Sequence, residues 1–372
     1  MMENILSYVS WRGDLTFSER EFNEVDALIF SVIGYMEWDG IVGEEEVLLG
    51  EACKMYLKHH HKKTLDKQYV YSPKIPELMR QLHKSKRYKD IILKHYISRK
   101  NEEIEVQFAA VTIIVGSIRY IAYRGTDSTI LGWKEDLNMT YLDEVPSQRM
   151  AREYLLKVAK DIKEASLLPF FKKKAPQLIL GGHSKGGNLA MYAAICEKAL
   201  CPQINKVYNF DGPGFRSGFY EQNENNEIMK KIVTYLPEES IIGRLLVHKE
   251  KAIIIQGYEL GLMQHDPFCW KCEAKKFAYA KHLSEASDKT IEYIDTLLLS
   301  KEDTKKEEFI TMLFRVLKDL EITKVSDFSE LSLKQGISGI KELSNMSSED
   351  RKMFLDCIKL LWGQAKPMFL KK

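Results

Sequence analysis

A serine flanked by glycines, within Gly182–Gly186, is the residue of this sequence best suited to covalent chemistry. The apolar run Leu178–Leu180 precedes it, and a helix is predicted to follow over Asn188–Glu197. Glycines two residues before and two after Ser184 suit a sharp strand-to-helix turn, because side chains at those positions would collide. Such a turn lifts the hydroxyl clear of the strand, and the helix N-terminus behind it favours developing negative charge. We therefore predict that Ser184 is a nucleophile.

Two other strand ends carry groups that a serine nucleophile requires. A predicted strand ending at Tyr123 leads to Thr126, whose backbone N–H and hydroxyl suit an oxyanion site. The backbone N–H of Lys185, the residue after the nucleophile, is the expected second donor. A predicted strand over Lys206–Phe210 leads to Asp211, a candidate acid for orienting a histidine. Because functional groups collect where parallel strands end, we expect these residues to meet at one edge of a sheet.

The elements around these residues are short apolar strands that alternate with helices. Val106–Val115 and Ser117–Tyr123 are β-branched and aromatic runs that meet at Gly116, which is typical of a hairpin. The pattern after the hairpin predicts one helix and then four strands, at Gln148–Ala165, Gln177–Leu180, Lys206–Phe210, Ile232–Tyr235 and Ala252–Gln256. This alternation predicts an α/β class with a mostly parallel central sheet flanked by helices. Together with the turn at Ser184, it favours the α/β-hydrolase fold.

The pattern divides the chain into three regions. Residues 1–100 are predicted to form a mostly helical N-terminal region packed on the core. One helix there has a possible cap at Ser18, and another is predicted around Leu78–Tyr96. Residues 101–280 form the predicted α/β-hydrolase core. Residues 281–372 turn helical again, which predicts a C-terminal helical extension.

Three histidines follow Ser184 in the sequence and are candidates for the general base. They are the candidates because the catalytic order in this fold is serine, acid, histidine. His265 comes after a predicted strand and a turn-rich stretch with two glycines, as expected of a catalytic histidine on a loop. His248 and His282 fall in predicted helices. We therefore predict that His265 is the base.

Composition limits the classes of partner and compartment. Hydrophobic residues make up 45% of the chain and charged residues 29%, with a formal net charge of +2. This balance is typical of a globular protein and gives no reason to expect a nucleic-acid partner. No signal peptide, transmembrane segment or dense cysteine framework is evident. We therefore expect a cytoplasmic protein, for which peripheral contact with a membrane is compatible with the sequence.

Two patterns resemble metal or redox motifs but lack what that chemistry requires. The triplet His59–His61 has no spaced partner ligands nearby, so we interpret it as surface. Cys269 and Cys272 form a C-x-x-C pair shortly after His265, but no second Cys or His pair stands at zinc-site spacing. The pair does not open a helix after a first strand, as a thioredoxin-like motif does. We predict neither a metal site nor a cofactor.

Several stretches of the chain resemble known families. The class 3 lipases have motifs similar to Tyr123–Thr126, Trp133, Asp136–Leu137 and Gly182–Gly187. The Mbeg1-like bacterial family, a relative of these lipases, has motifs similar to Trp11–Phe17, Phe22–Asp26, Asp211–Phe215, Gln264–Asp266 and Trp270. The resemblance covers residues 1 to about 280 and implies an α/β-hydrolase fold with a serine hydrolase site. It also favours His265 as the base, and it implies no particular substrate.

The lipase resemblance opens two further points. In class 3 lipases the acid comes one strand later than Asp211, and Glu239 occupies that place here, so Glu239 is the alternative acid. Those lipases usually have leucine after the nucleophile, where this chain has Lys185. A cation at that position would favour an oxyanion or an anionic ester over a triglyceride-like substrate.

Taken together, these features predict a lipase- or esterase-like serine hydrolase that cleaves a carboxylic ester through an acyl-enzyme. The substrate would be a small-molecule or lipid ester. Ser184, His265 and Asp211 are the expected catalytic residues, with Thr126 and Lys185 as oxyanion donors. The alternative is a protein that keeps the fold for binding or as a scaffold and has weak or no turnover. The complete set of triad candidates favours the enzyme.

Overall fold

A computed structural model of the chain describes residues 3–59, 74–127, 129–166, 176–223 and 227–319, together with 348, 351, 352 and 355. Its main sheet contains eight strands that lie side by side in chain order: β1 (Val47–Leu48), β2 (Ile92–Asn101), β3 (Val106–Val115), β4 (Ile118–Tyr123), β5 (Gln177–His183), β6 (Ile204–Phe210), β7 (Ile232–Pro237) and β8 (Lys251–Ile255). Neighbouring strands from β1 to β4 are antiparallel, and those from β4 to β8 are parallel. The predicted mostly parallel sheet flanked by helices is confirmed.

Helices cover both faces of this sheet. The described helices are α1 (Ile5–Arg12), α2 (Glu24–Ile33), α3 (Leu49–His59), α4 (Ile75–Leu82), α5 (Ile130–Asn138), α6 (Pro146–Ser166), α7 (Lys185–Cys196), α8 (Ser217–Glu221), α9 (Glu285–Ile294) and α10 (Asp303–Asp319). A small separate hairpin pairs β9 (Cys272–Glu273) with β10 (Lys276–Phe277). Among the described residues, no helix has both the length and the apolar character needed to cross a bilayer.

Two apolar cores lie on opposite faces of the sheet. Tyr120 and Ala122 of β4 belong to the core beneath the N-terminal helices, and the alternating Ile121 and Tyr123 belong to the core beneath α6 and α7. Successive side chains of a strand point to opposite faces, so burial on both sides requires a continuous apolar strand. Strand β3 meets this requirement, because its first eight residues are all buried. The sheet is therefore buried on both faces, and the loops that follow its strands lie at the carboxyl edge.

A buried ion pair fixes separate segments of the N-terminal region to each other. Arg87 donates to both carboxylate oxygens of Asp26 at 2.9 and 2.6 Å, and both side chains are fully buried. The same guanidinium donates to backbone carbonyls within residues 15–21. Tyr88 adds a hydroxyl donor to Asp26 at 2.6 Å. Part of the stretch that resembles the start of the Mbeg1-like family thus serves to anchor this region.

Two predictions for the first hundred residues are wrong. The helix predicted around Leu78–Tyr96 ends at Leu82, and Ile92 begins strand β2 instead. Strand β2 forms through pairing with β3, a contact that local periodicity does not show. The first long helix is capped at Asn23 rather than Ser18, because the Asn23 side chain accepts two backbone N–H groups of the first turn.

The remaining predicted elements agree with the structure where they can be compared. The hairpin at Gly116, the helix over Gln148–Ala165 and the four strands after it are confirmed within a few residues. The described part of the C-terminal extension packs on the core: Lys306 of α10 donates to the Thr140 carbonyl, and Ser287 of α9 donates to the Ser240 carbonyl. From 320 onward, only residues 348, 351, 352 and 355 are described. Residues 60 and 61 of the histidine triplet also lie outside the described part.

Candidate active site

Ser184 lies at a sharp turn between strand β5 and helix α7. Its φ of 59° and ψ of −136° belong to a region that residues with a Cβ rarely adopt. A Cβ on Gly182 would lie 2.2 Å from the backbone carbonyl carbon of Gly186, and one on Gly186 would lie 2.2 Å from the Tyr123 carbonyl oxygen. The two glycines are therefore required by close backbone contacts. The predicted strand, turn and helix around Ser184 are confirmed.

Parallel pairing brings the other strand ends to the same edge. His183 of β5 lies opposite Phe210 of β6, which lies opposite Tyr235 of β7. The Ser184 N–H donates to the Phe210 carbonyl and the Asp211 N–H donates to the Tyr235 carbonyl, both at 2.9 Å. Ser184 and Asp211 therefore leave the sheet side by side. Asp211 also has a positive φ, 54°, so both residues are held in strained conformations.

The His265 imidazole reaches Asp211 from a short 3-10 turn over Gly261–His265. The Nδ1 atom of His265 lies 2.6 Å from Oδ2 of Asp211, and the Ser240 hydroxyl donates to Oδ1 at 2.5 Å. Asp211 is fully buried, and the His265 side chain is 13% exposed. The carboxylate makes Nδ1 the protonated nitrogen, so Nε2 of His265 carries the lone pair. This is the arrangement that a general base needs.

The rival candidates lie elsewhere. The Glu239 carboxylate accepts the Gly261 N–H at 3.2 Å, so it supports the turn that carries His265 rather than contacting the imidazole. His248 binds Glu250 through Nδ1 at 2.6 Å. His282 is exposed. Neither of these two histidines lies in a helix, so that part of the sequence interpretation is wrong.

The loop after β4 packs directly against the nucleophile turn. A Cβ on Gly125 would lie 2.5 Å from the His183 carbonyl oxygen, so the loop touches the residue before Ser184. The Thr126 hydroxyl donates its proton to Asp136 at 2.5 Å, so only the Thr126 backbone N–H is left for the predicted oxyanion role. Lys185 is the first residue of α7, so its N–H has no partner within the helix. Both predicted backbone donors thus lie on segments next to Ser184.

The Lys185 side chain does not serve the role expected of a cation beside the nucleophile. Its ammonium is buried and donates to Glu135 at 2.8 Å and to the Gln107 carbonyl at 3.1 Å. Burial opposes its charge, but Glu135 and Asp136 outweigh that effect and raise the pKa of Lys185. The charge is neutralised internally and is not available to a substrate. The expected preference for an anionic ester therefore loses its physical basis.

Two residues missed by the sequence analysis, His183 and Tyr35, support His265. The Nε2 atom of His183 lies 2.7 Å from the His265 carbonyl oxygen, and its Nδ1 lies 3.0 Å from the Tyr35 hydroxyl. Burial and the neighbouring His265 lower the pKa of His183 well below its ordinary value. His183 is therefore neutral, donating through Nε2 and accepting from Tyr35 through Nδ1. The serine motif contains His183, but no sequence signal identifies Tyr35.

The C-x-x-C stretch shapes the turn that carries His265. The Trp270 indole and the Cys269 thiol donate to the Gln264 carbonyl, at 2.7 and 3.5 Å. Cys269 and Cys272 are both buried, and burial raises the pKa of each thiol. Neutral, buried thiols are poor metal ligands and poor redox groups. The stretch is thus part of the structural support of the site.

The lowered pKa of His183 predicts a pH-dependent stability. Below the ordinary histidine pKa of about 6.5, the unfolded chain takes up a proton that the folded chain refuses. The free energy of unfolding should therefore decrease as the pH is lowered below this value, by about 1.4 kcal/mol per pH unit for this residue. The variant His183→Gln should remove that contribution. Urea unfolding of both proteins at pH 7, 6 and 5 measures the difference in slope. His282→Gln, at an exposed histidine, should keep the wild-type slope; equal slopes for wild type and His183→Gln would contradict the assignment.

Comparison with known proteins places the chain in a family. The Mbeg1-like family model matches residues 82–315. The chain belongs to the Mbeg1-like family. No curated protein sequence matches the chain significantly. The sheet, the turn at Ser184 and the family together confirm the predicted α/β-hydrolase fold.

Three solved structures, two of them of lipases, are among those similar to this member of the Mbeg1-like family. Lip2 lipase from Yarrowia lipolytica is 15% identical, with 44% of this chain and 65% of that chain covered and a TM-score of 0.32. A mutant of MDLA from Penicillium cyclopium is 12% identical, with 54% and 74% covered and a TM-score of 0.36. The lipase from Rhizopus microsporus var. chinensis is 12% identical, with 67% and 85% covered and a TM-score of 0.35. Less than two thirds of the Lip2 chain is covered.

Proposed function

We propose that this protein is a serine hydrolase that cleaves a carboxylic ester through an acyl-enzyme. The observation that carries the proposal is the 2.6 Å contact between His265 Nδ1 and the buried Asp211 carboxylate, at the sheet edge where Ser184 stands on its turn. Nucleophile, base and acid come from three separate segments of the chain. Their convergence supports catalysis more strongly than the serine motif alone.

In the proposed mechanism, the Ser184 hydroxyl oxygen forms a bond to the ester carbonyl carbon while its proton passes to Nε2 of His265. Asp211 holds the imidazole and stabilises the imidazolium. The carbonyl oxygen becomes an oxyanion that the N–H groups of Thr126 and Lys185 stabilise. When the C–O bond to the alcohol breaks, His265 returns the proton to the leaving alkoxide. Water then attacks the acyl-enzyme by the same proton route, which releases the acid and restores Ser184.

The substrate is proposed only as a carboxylic ester of a small molecule or lipid. The Lys185 ammonium, which follows Ser184 directly in the chain, is paired with Glu135 and is not available to a substrate. The expectation of an anionic ester is therefore not carried into the proposal. The thiols of Cys53, Cys196, Cys201, Cys269 and Cys272 are free, which is compatible with the expected cytoplasmic location.

Labelling with a fluorophosphonate probe tests the proposal. The folded protein should react, and mass spectrometry should locate the adduct on the peptide that contains Ser184. Heat-unfolded protein is the control and should not react, because the probe requires an activated serine. Folded protein that resists the probe, or an adduct on another residue, would contradict the proposal. Resistance in folded protein would favour the scaffold alternative.

A further inference from the structure

The Lys185 side chain connects the nucleophile turn to the elements that hold the oxyanion loop. It is buried, and its ammonium donates to the carbonyl of Gln107 on β3 and to the carboxylate of Glu135 on α5. The Gln107 N–H donates to the same Glu135 oxygen at 3.1 Å, and the Ser147 N–H donates to the other oxygen at 2.8 Å. The ammonium, the carboxylate and these backbone groups therefore form one buried network behind the site.

The partners of Lys185 hold the loop that carries Thr126. The Gln107 side chain accepts the Asp127 N–H at 3.0 Å, immediately after Thr126. Asp136, the residue after Glu135 on α5, accepts the Thr126 hydroxyl at 2.5 Å. The loop is thus fixed on one side by β3 and on the other by α5. Both of these elements are fixed to the nucleophile turn through the Lys185 ammonium.

We propose that the Lys185 side chain is a positioning residue that sets the distance between the two donors of the oxyanion site. The proposal rests on the proposed hydrolase function. One donor is the Lys185 backbone N–H, and the other is the Thr126 N–H, held by Gln107 and α5. Lys185 therefore supplies one donor with its backbone and, through its side chain, fixes the position of the other donor, the Thr126 N–H. Stabilisation of an oxyanion requires donors within a few tenths of an ångström of their ideal positions, so this connection controls catalysis.

The charge on Lys185 is necessary to the network. Asp136 Oδ1 is buried without a hydrogen-bond partner among the described residues and lies 3.6 Å from the Lys185 ammonium. Glu135 is buried as well. Glu135 needs a nearby cation, because isolated buried charges are costly, whereas the Asp136 side chain is 32% exposed and depends on the cation less. Leucine at this position, as in the class 3 lipases, would fill the space but would leave both carboxylates without that cation.

The test compares Lys185→Met with the double variant Lys185→Met/Glu135→Gln. Methionine keeps the backbone N–H and the apolar part of the side chain but removes the ammonium. Only the bonds from that ammonium to Gln107 and Glu135 are lost. The rate of fluorophosphonate labelling should fall about 100-fold, the loss expected for a displacement of about 1 Å. The melting temperature should fall too, because Glu135 is left unpaired. In the double variant the melting temperature should rise above that of Lys185→Met, since the unpaired charge of Glu135 is gone, while labelling should stay slow.

The matched control is Lys306→Met, which removes another buried lysine, paired with Asp303 at 3.2 Å and bonded to the Thr140 carbonyl rather than to Gln107 or Glu135. It should label at the wild-type rate. A second readout is the phosphorus-31 resonance of the adduct, which should shift in both Lys185 variants because the phosphonyl oxygen occupies the oxyanion site. Wild-type labelling rates in folded Lys185 variants, or recovery of rate together with melting temperature in the double variant, would overturn the inference. Wild-type protein that does not react at all would instead contradict the proposed function, and the inference with it.

Discussion

Ser184→Ala is expected to lower ester turnover by about 10⁶-fold, the loss that removal of a triad nucleophile typically causes. The Ser240 hydroxyl also lies beside the Asp211 and His265 pair, but it donates to Asp211 Oδ1 and is not on the strand-to-helix turn, so it does not replace the lost nucleophile. The residual rate should be that of the oxyanion donors and substrate binding alone. Hydrolysis of a series of p-nitrophenyl esters of increasing chain length measures the loss and also identifies the preferred acyl group.

Ser184→Gly provides the matched stability comparison. Ser184 and an alanine in its place both keep the strained φ of 59°, whereas glycine adopts it freely. The glycine variant should therefore be as inactive as the alanine variant but more stable, by about 1 to 2 kcal/mol in chemical unfolding. A folded alanine variant that retains turnover within tenfold of wild type would place the nucleophile elsewhere. A glycine variant less stable than the alanine variant would contradict the strain at the turn.

His265→Ala should lower turnover by about 10⁵- to 10⁶-fold, because the Ser184 proton then has no acceptor. The Asp211 carboxylate would lose its only described imidazole partner, so the effect includes the orientation that the acid supplies. Turnover of wild type and variant at saturating ester, measured at neutral pH, gives the loss directly. The loss should appear mainly in kcat, because His265 accepts and returns the Ser184 proton during the chemical step and does not bind the ester.

His248→Ala is the control for the base. His248 is also paired with a buried carboxylate, Glu250 at 2.6 Å. The variant His248→Ala should therefore lower the free energy of unfolding about as much as His265→Ala does. His248 belongs to a separate network that includes Thr234, and we expect turnover to fall less than tenfold. Equal, mild losses in the two histidine variants would remove His265 from the mechanism.

The part of the site that the sequence could predict is the part that depends on local geometry. Ser184 stands out because the glycines on both sides report a turn that forms within a few residues. The sequence placed Asp211 at the end of a strand, but it could not decide whether Asp211 or Glu239 is the acid. That choice depends on where the turn at His265 lies, and the turn is set by long-range contacts from Trp270 and Cys269.

What the sequence could not predict depends on contacts between distant segments. Strand β2 forms because β3 pairs with it, although its own residues suit a helix as well. The role of the Lys185 side chain depends on Glu135, fifty residues earlier in the chain. The residue type suggested a cation that faces substrate, whereas the fold encloses it between two carboxylates.

The contact between Tyr35 and His183 shows that the N-terminal region supports the candidate active site. Tyr35 follows α2, in the region that precedes the predicted core, and its hydroxyl keeps the residue next to the nucleophile in a single tautomer. A shortened protein that started at the predicted core boundary near residue 100 would retain the three proposed catalytic residues and still lack this hydroxyl. The proposed active site therefore extends into the N-terminal region, and residues 101–280 alone do not contain all of the groups that support it.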